Sequence, residues 1–545
     1  MMFLAFFGPT LATVAALDPA AVAGRGAPGA FVEYEGENGV TDGALLGPDR
    51  RFGTIAAEAS GRRAVRLGAA NSLAFTLGVP ANALTLRYAV PDGASGSIGV
   101  YVDGARVATL ALTSRYTWFY GKYPFTNDPA DGGGHHVFDH VRVMFDRTIP
   151  AGATVTIRPD AGLPWTAIDL VDFELVDPPR VRPEGSLSLL DFGVDPSGLR
   201  ECGAEFRRAV AAARAAGKVL WIPPGVFNIR GHVAVDHVTL EGAGMWHSTL
   251  TGEGLGFYGN DAHAVILRDF AVIGEVTERK DHLQLSGIGG AMGGGSVIER
   301  LWLQHHKVGL WFDGPMDGIR ISGLRIFDMT ADGLNFHRGV KNAVIEDSFV
   351  RGTGDDGLAA WSGGEANRSI VFRRNTVIAP VLANGIAVYG GSDIRIEGNV
   401  VADTLTQGGG IHLGNRFKAV PLSGRIDIAD NLLVRTGSFD PNWRYGVGAL
   451  WFYALDAPIR ADIRVTGLEI VASSEEAVMF TGSSVSGVTL NGVRIVDPGS
   501  HVVALRSGGS ARFSGVSVTG LRAPAILACN PRFRLSSELR TRALC

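Results

Sequence analysis

Ile319-Arg-Ile-Ser-Gly-Leu-Arg-Ile326 alternates apolar and polar residues, bends at one glycine and resumes. The same figure returns in Ile394-Arg-Ile-Glu-Gly-Asn-Val-Val401, Ile463-Arg-Val-Thr-Gly-Leu-Glu-Ile470 and Val488-Thr-Leu-Asn-Gly-Val-Arg-Ile495. Alternation of period two marks a strand with one buried face, and the glycine marks the bend between two such strands. Equivalent apolar positions are Leu240, Leu267, Ile298, Ile321, Ile345, Phe372, Ile396, Ile428, Val465, Leu490 and Phe513. Most steps are 23 to 27 residues, and those into Ile298, Ile428 and Val465 are longer. One unit of this size cannot bury its own apolar side, so the units must stack. A propeller blade has a longer period, and a leucine-rich repeat needs an Asn/Leu frame that is absent. The pattern predicts a right-handed parallel β-helix over residues 186–530, with a C-terminal tail over 531–545.

Upstream, Leu199 to Ala216 reads as an amphipathic helix, with Phe206, Val210 and Ala213 on one face and Gly217 as its stop. Such a helix would cap the open end of the coils and cover their edge strands. Before it lies a proline-rich linker, 178–185. Residues 30–177 show short alternating strands, such as Leu84-Thr-Leu-Arg-Tyr-Ala-Val90 and Gly99-Val-Tyr-Val-Asp103, which read as a β-sandwich. The chain is therefore expected to be all-β.

The bulk composition agrees. Of 545 residues, 74 are Gly, 25 are Pro and only 19% are charged, as a turn-rich β protein requires. The net charge of −4 offers no field for nucleic acid or an anionic membrane. No stretch reaches the ~18 unbroken apolar residues of a membrane span. The apolar start, Met1-Met-Phe-Leu-Ala-Phe-Phe7, and the Ala-rich sequence after it read as a leader over 1–29 and an exported protein. Cys529 and Cys545 can pair in an oxidising compartment or stay free thiols, and no metal-type Cys/His spacing occurs. A monomer is the default expectation.

A second landmark recurs within the coils: Ala331-Asp-Gly-Leu-Asn-Phe-His337, Gly354-Asp-Asp-Gly-Leu-Ala-Ala-Trp361 and Ala383-Asn-Gly-Ile-Ala-Val-Tyr389. Ile321 and Ile345 are 24 residues apart, and so are Asp332 and Asp356, so the two aspartates hold the same station on adjacent coils. Stacked strands lie about 4.8 Å apart. Asp355 stands beside the pair, and three carboxylates so close must raise at least one pKa. Glycoside hydrolysis repays that cost, needing one protonated acid and one carboxylate for water, about 6.5–9.5 Å apart in the usual inverting pair. Asn384 reads as a turn former. Trp311, Asn335, His337, Trp361, Tyr389, His412 and Trp451 fall on the same side of the repeat and are the candidate sugar contacts, aromatic faces suiting pyranose rings.

The two aspartate motifs resemble those of glycoside hydrolase family 87, the α-1,3-glucanases and mycodextranases, over residues 186 to 530. The resemblance implies a pectate-lyase-like β-helix and an inverting hydrolase of α-1,3-glucosidic bonds in α-1,3-glucan or nigeran, with no cofactor in catalysis. It implies Asp332, Asp355 and Asp356 as the essential acids. Similarity to the polygalacturonases favours Asp355 as general acid, with Asp332 and Asp356 holding the water. The Gly-His-Gly and Arg-x-Lys motifs of polygalacturonases are not evident. The N-terminal domain resembles carbohydrate-binding modules of the family 6/35 type. That likeness implies a structural Ca²⁺ on Glu35, Glu37 and Asp172, and Trp118, Tyr120 and Trp165 as sugar platforms. The alternatives are a dextranase or isopullulanase, a polygalacturonase-like hydrolase, a polysaccharide lyase and a non-catalytic glycan-binding protein.

Overall fold

The computed structural model describes residues 22–121, 126–128, 130, 134–441 and 443–545. They form two compact units, residues 27–178 and residues 179–545, with 24–26 belonging to the second. Residues 1–21 of the expected leader lie outside the described residues. Gly26 N donates to Gly398 O (2.7 Å) and Arg25 pairs with Glu469 (3.1 Å). The boundary expected at residue 29 therefore falls inside folded chain.

The first unit is an antiparallel sandwich. Among the described residues, one sheet has six strands, built around Ala81–Ala89 and Thr166–Glu174, and the other has five, built around Ser95–Val102 and Thr154–Pro159. Leu84, Leu86, Ile98, Val100, Val155, Ile157, Val171 and Phe173 fill the space between them. Their alternation with outward residues is what a sandwich core requires.

The second unit is a right-handed parallel β-helix. A typical coil has three strands, for example Met316–Ser322, Arg325–Met329 and Leu334–His337. The first two join a long bent sheet and the third a separate sheet of 13 strands among the described residues. The register read from the repeat is the observed one. Leu240, Leu267, Ile298, Ile321, Ile345, Phe372, Ile396, Ile428, Val465, Leu490 and Phe513 pair in an unbroken row along the axis, all buried. The long step into Ile298 contains the segment 274–285, and the one into Val465 contains a small hairpin, Ser438–Asp440 with Tyr445–Val447.

Two expectations need correction. The helix begins at Gly203, not Leu199, and ends at Gly217, whose φ of 60° suits glycine. Residues Ser197–Glu201 are instead a strand beside Gly225–Asn228, and Leu199 points to solvent. The helix buries Phe206, Ala209, Val210 and Ala213 over the first coils, as a cap should. Residues 531–545 are not a tail: Phe533–Ser536 pairs with Gly508–Ser514, and Arg542–Leu544 pairs with Ile526–Ala528. Cys529 and Cys545 are joined and close this last coil, while Cys202 is a buried thiol.

Candidate active site

The 13-stranded sheet carries the site. Leu310, Leu334, Leu358, Ile386, Ile411 and Leu450 pair in register and point into the core. The next residue in each strand must point outward. One outward column therefore runs Trp311, Asn335, Ala359, Ala387, His412, Trp451, and the next runs Asp313, His337, Trp361, Tyr389, Gly414, Tyr453. All seven expected sugar contacts lie on these two columns.

The acids sit on the turns that lead into these strands. Gly333 N donates to Asp356 O (3.0 Å) and Gly357 N to Asn384 O (2.9 Å), so Asp332, Asp356 and Asn384 occupy one station on successive coils. Glycine follows each because the stack leaves no room: a Cβ on Gly333 would lie 2.3 Å from Gly357 O. One carboxylate oxygen from each of Asp332, Asp355 and Asp356 lies within 4.8 Å of the other two. The ~6.5–9.5 Å of an inverting pair is measured between whole carboxyl groups, whereas 4.8 Å bounds only the nearest oxygens here.

Each acid has its own surroundings. Asp332 is buried and accepts from Asn335 Nδ2 (2.8 Å). Burial, then the charges of Asp355 and Asp356, hold its pKa well above the usual carboxylate range. Asp356 is buried too. Its Oδ1 accepts from the side-chain and main-chain N–H groups of Asn384 (2.8 and 2.9 Å), and its Oδ2 accepts from the Tyr389 hydroxyl (2.8 Å). Burial and the Asp355 charge push its pKa up to about 7, against these hydrogen bonds. Asp355 is the one partly open to solvent, its side chain 22% exposed. Its Oδ1 accepts from Asp356 N (3.0 Å) and its Oδ2 meets Arg279 Nη1 (2.7 Å).

The candidate sugar contacts divide by exposure. Trp311, His337 and Trp361 are half-buried neighbours, His337 lying 4.5 Å from the Trp361 ring and 5.3 Å from Trp311. Asp313 orients His337 through Nδ1 (2.9 Å). Asn335 Nδ2 and the Tyr389 hydroxyl bond Asp332 and Asp356 and so hold the acids, while Asn335 Oδ1 has no hydrogen-bond partner among the described residues. His412 and Trp451 are buried and face each other at 4.1 Å, and Trp451 Nε1 donates to Thr481 (2.7 Å). Asn384, read as a turn former, is a partner of Asp356. Arg279 and Lys307 were not singled out in the sequence, because no local motif marks them.

In the first unit, Glu35 is buried with Oε2 unbonded, and burial with the charges of Glu33, Asp169 and Glu37 raises its pKa well above normal. Asp172 stands across from Glu33, not from Glu35. Among the described residues, Glu35, Glu37 and Asp172 do not converge within 4.8 Å as Asp332, Asp355 and Asp356 do. Trp118 and Tyr120 are buried and offer no open ring face, and Trp165 packs beside Phe138 and Ala167.

A coiled scaffold with converging acids beside an aromatic surface defines a β-helix glycoside hydrolase. Two family models match, "Alpha-1,3-glucanase catalytic domain D1" over residues 29–176 and "D2" over 203–422. The sandwich is thus matched by a model of the catalytic unit itself. A solved GH87 α-1,3-glucanase catalytic unit from Streptomyces thermodiastaticus strain HF3-3 is 39% identical, with a TM-score of 0.89, covering 95% of this chain and 97% of that one. The Agl-KA catalytic domain is 25% identical, with a TM-score of 0.89 and coverage of 94% and 99%. A GH87 α-1,3-glucanase catalytic domain in complex with nigerose is also 25% identical, with a TM-score of 0.82 and the same coverage. No match was found among curated proteins. This chain belongs to glycoside hydrolase family 87, the α-1,3-glucanases, and is a glycoside hydrolase.

Proposed function

We propose that the chain is a secreted, inverting hydrolase of α-1,3-glucosidic bonds in α-1,3-glucan or nigeran, working through Asp332, Asp355 and Asp356. The observation that carries this is the convergence of their oxygens within 4.8 Å at one station of the coil. A water donating one hydrogen bond to each of two carboxylates spans about 4–5 Å between them. Asp332 and Asp356, one rung apart, fit that water. Asp355, the acid open to solvent, reaches the glycosidic oxygen.

In the reaction, the water oxygen bonds to the anomeric carbon and gives one proton to Asp332 or Asp356. The carbon–oxygen bond to the leaving sugar breaks, and that oxygen takes the proton of Asp355. Burial and the neighbouring charges raise the proton affinity of Asp332 and Asp356, so the pair shares a proton at rest and its ionised member takes the one the water gives up. Proton exchange among the three acids resets the site. Trp311, His337 and Trp361 give the chain a ring-stacking surface beside the reacting bond.

Relatives support the residue choice. Complexes of a GH87 catalytic domain with nigerose and with tetrasaccharides were solved on Asp→Ala variants at three positions spaced by 23 residues and then by one. Asp332, Asp355 and Asp356 have that spacing. Asp332→Asn and Asp355→Asn should each lower kcat on α-1,3-glucan by about 10³-fold or more with the fold kept, read as reducing-end release. Wild-type turnover in either removes that residue from the mechanism. The close approach of the acids also suits a retaining route, for which carboxyls about 5–5.5 Å apart are typical. NMR of the first product decides: a β-anomer means inversion, an α-anomer retention.

Export follows from the substrate, a polymer that must be met outside the cell, and a processed chain in the culture medium would establish it. Structural Ca²⁺ near Glu35 would relieve the crowding of Glu33, Glu37 and Asp169. The chain should then melt at lower temperature in EGTA, and an unchanged melt argues against the ion.

A further inference from the structure

We propose that Arg279, on the segment 274–285, is a positioning residue for hydrolysis: it fixes Asp355 and supplies the positive charge that balances the three-acid cluster. The inference rests on the proposed role of Asp355 and goes beyond it, since Arg279 lies 76 residues away in the chain and outside every aspartate motif.

The geometry is that of a clamp. The Arg279 side chain is 10% exposed, with Nη1 on Asp355 Oδ2 and Nε on Asp281 Oδ1, each at 2.7 Å. A guanidinium bonded at two edges cannot rotate freely, so it defines where the Asp355 oxygen sits. The segment that carries it is itself tied down. Gly274 N donates to Gln304 O (2.8 Å) and Val276 N to His305 O (3.0 Å), while Lys307 N donates to Leu285 O (3.0 Å). The Lys307 ammonium then gathers the main-chain carbonyls of Lys280 (3.3 Å), Asp281 (3.0 Å) and Leu283.

Lys307 also belongs to the acid station. Ala331 N donates to Lys307 O (2.7 Å) and Gly354 N to Ala331 O (3.1 Å), placing Lys307 two coils before the Asp355 turn. The coil thus holds the strap, and the strap holds Arg279 against Asp355. Such a lysine is a staple, and its three carbonyl partners explain why an ammonium tolerates this half-buried place.

Electrostatics gives the clamp a second task. Three carboxylates at this spacing repel, and Asp281 adds a fourth. Among the described residues, the other charged or titratable groups acting on the cluster include Lys307, Tyr389 and, behind Tyr389, Arg416. Among the described residues, Arg279 is the cation paired directly with the cluster, through Asp355. The Asp332 charge is itself stabilised by it, against the larger effect of burial.

The test compares kcat and KM against pH for wild type, Arg279→Gln, Arg279→Lys and Asp355→Asn. Removing the charge destabilises every ionised carboxylate nearby, so both limbs of the Arg279→Gln profile should move alkaline by about one pH unit. Its kcat should fall about 10- to 100-fold with KM little changed, the cost of a misplaced group. Arg279→Lys keeps the charge but cannot span both aspartates, so its limbs should stay in place while kcat falls. Unmoved limbs in Arg279→Gln, with a loss equal to that of Arg279→Lys, overturn the proposal. If Arg279→Gln does not fold, Arg279→Lys decides alone, an unchanged kcat overturning it. Wild-type turnover in Asp355→Asn would instead sink the underlying role of Asp355, whatever Arg279 does.

Discussion

Tyr389 shows how one hydroxyl can set a pH profile. Its bond to Asp356 Oδ2 favours the ionised acid, opposing burial. Tyr389→Phe should therefore raise the Asp356 pKa and move the acid limb of kcat/KM to higher pH, with the alkaline limb less affected; an unmoved acid limb would show that Asp356 is not the base being titrated. The same residue carries a stability consequence. Asp356 has a folded pKa of about 7, above the ~3.9 of an unfolded aspartate. The folded chain holds the extra proton between those values, so this contribution is complete below pH ~4 and lost as pH rises through 7. Asp356→Asn should thus melt about 2–4 °C higher than wild type at pH 8 and level with it at pH 4, while losing activity. Calorimetry at both pH values checks this. At this scale the acids were legible because the repeat fixes their register. Their holders were only partly so. Asn384 looked like any Asn-Gly turn, and Arg279 comes from a segment whose length, not its residues, was the visible signal.

Between residue and molecule stands the coil, and its bends are where buried polar groups must be satisfied. Asn375, Asn399 and Asn431 stack at one bend. Asn399 Oδ1 accepts from Asn375 N and Nδ2 (2.8 and 3.1 Å), and Asn431 Oδ1 accepts from Asn399 N and Nδ2 (both 2.9 Å). Asn399 Nδ2 also donates to Phe372 O (3.0 Å). Asn399→Ala removes acceptors for buried N–H groups on the coil before it, at a cost of about 2–4 kcal/mol. The urea midpoint should fall accordingly, with kcat at 25 °C unchanged, because Asp332, Asp355 and Asp356 are bonded elsewhere. A loss of turnover in the folded variant would mean that the ladder also positions the acids. The strand rows were legible because apolar alternation is forced by the pleat. The helix start was not. Leu199 continues the apolar spacing of the helix, yet residues 197–201 gain main-chain bonds to Gly225–Asn228 that a helix would forgo.

The β-helix as a whole is a one-dimensional stack in which each coil touches only its neighbours. Its ends are therefore its weak points, and they are closed differently: by the helix Gly203–Ala216 at the first coils and by the Cys529–Cys545 link at the last. The last coil escaped the sequence reading because its strands, Phe533–Ser536 and Arg542–Leu544, are short and mostly exposed. Nothing in them alternates long enough to register as a repeat. Such strands bury little, so the link has to supply what packing does not. Cys545→Ser frees a loop of 16 residues, which in the chain-entropy view costs about 3 kcal/mol. In a nearest-neighbour stack that loss stays local. Amides of residues 526–545 should exchange faster, while those of strands Leu334–His337 and Leu358–Trp361, several coils away, keep their protection and the variant keeps its kcat. If instead these strands lose protection in step with the last coil, the stack melts as one cooperative body, and the terminal link guards the acid cluster.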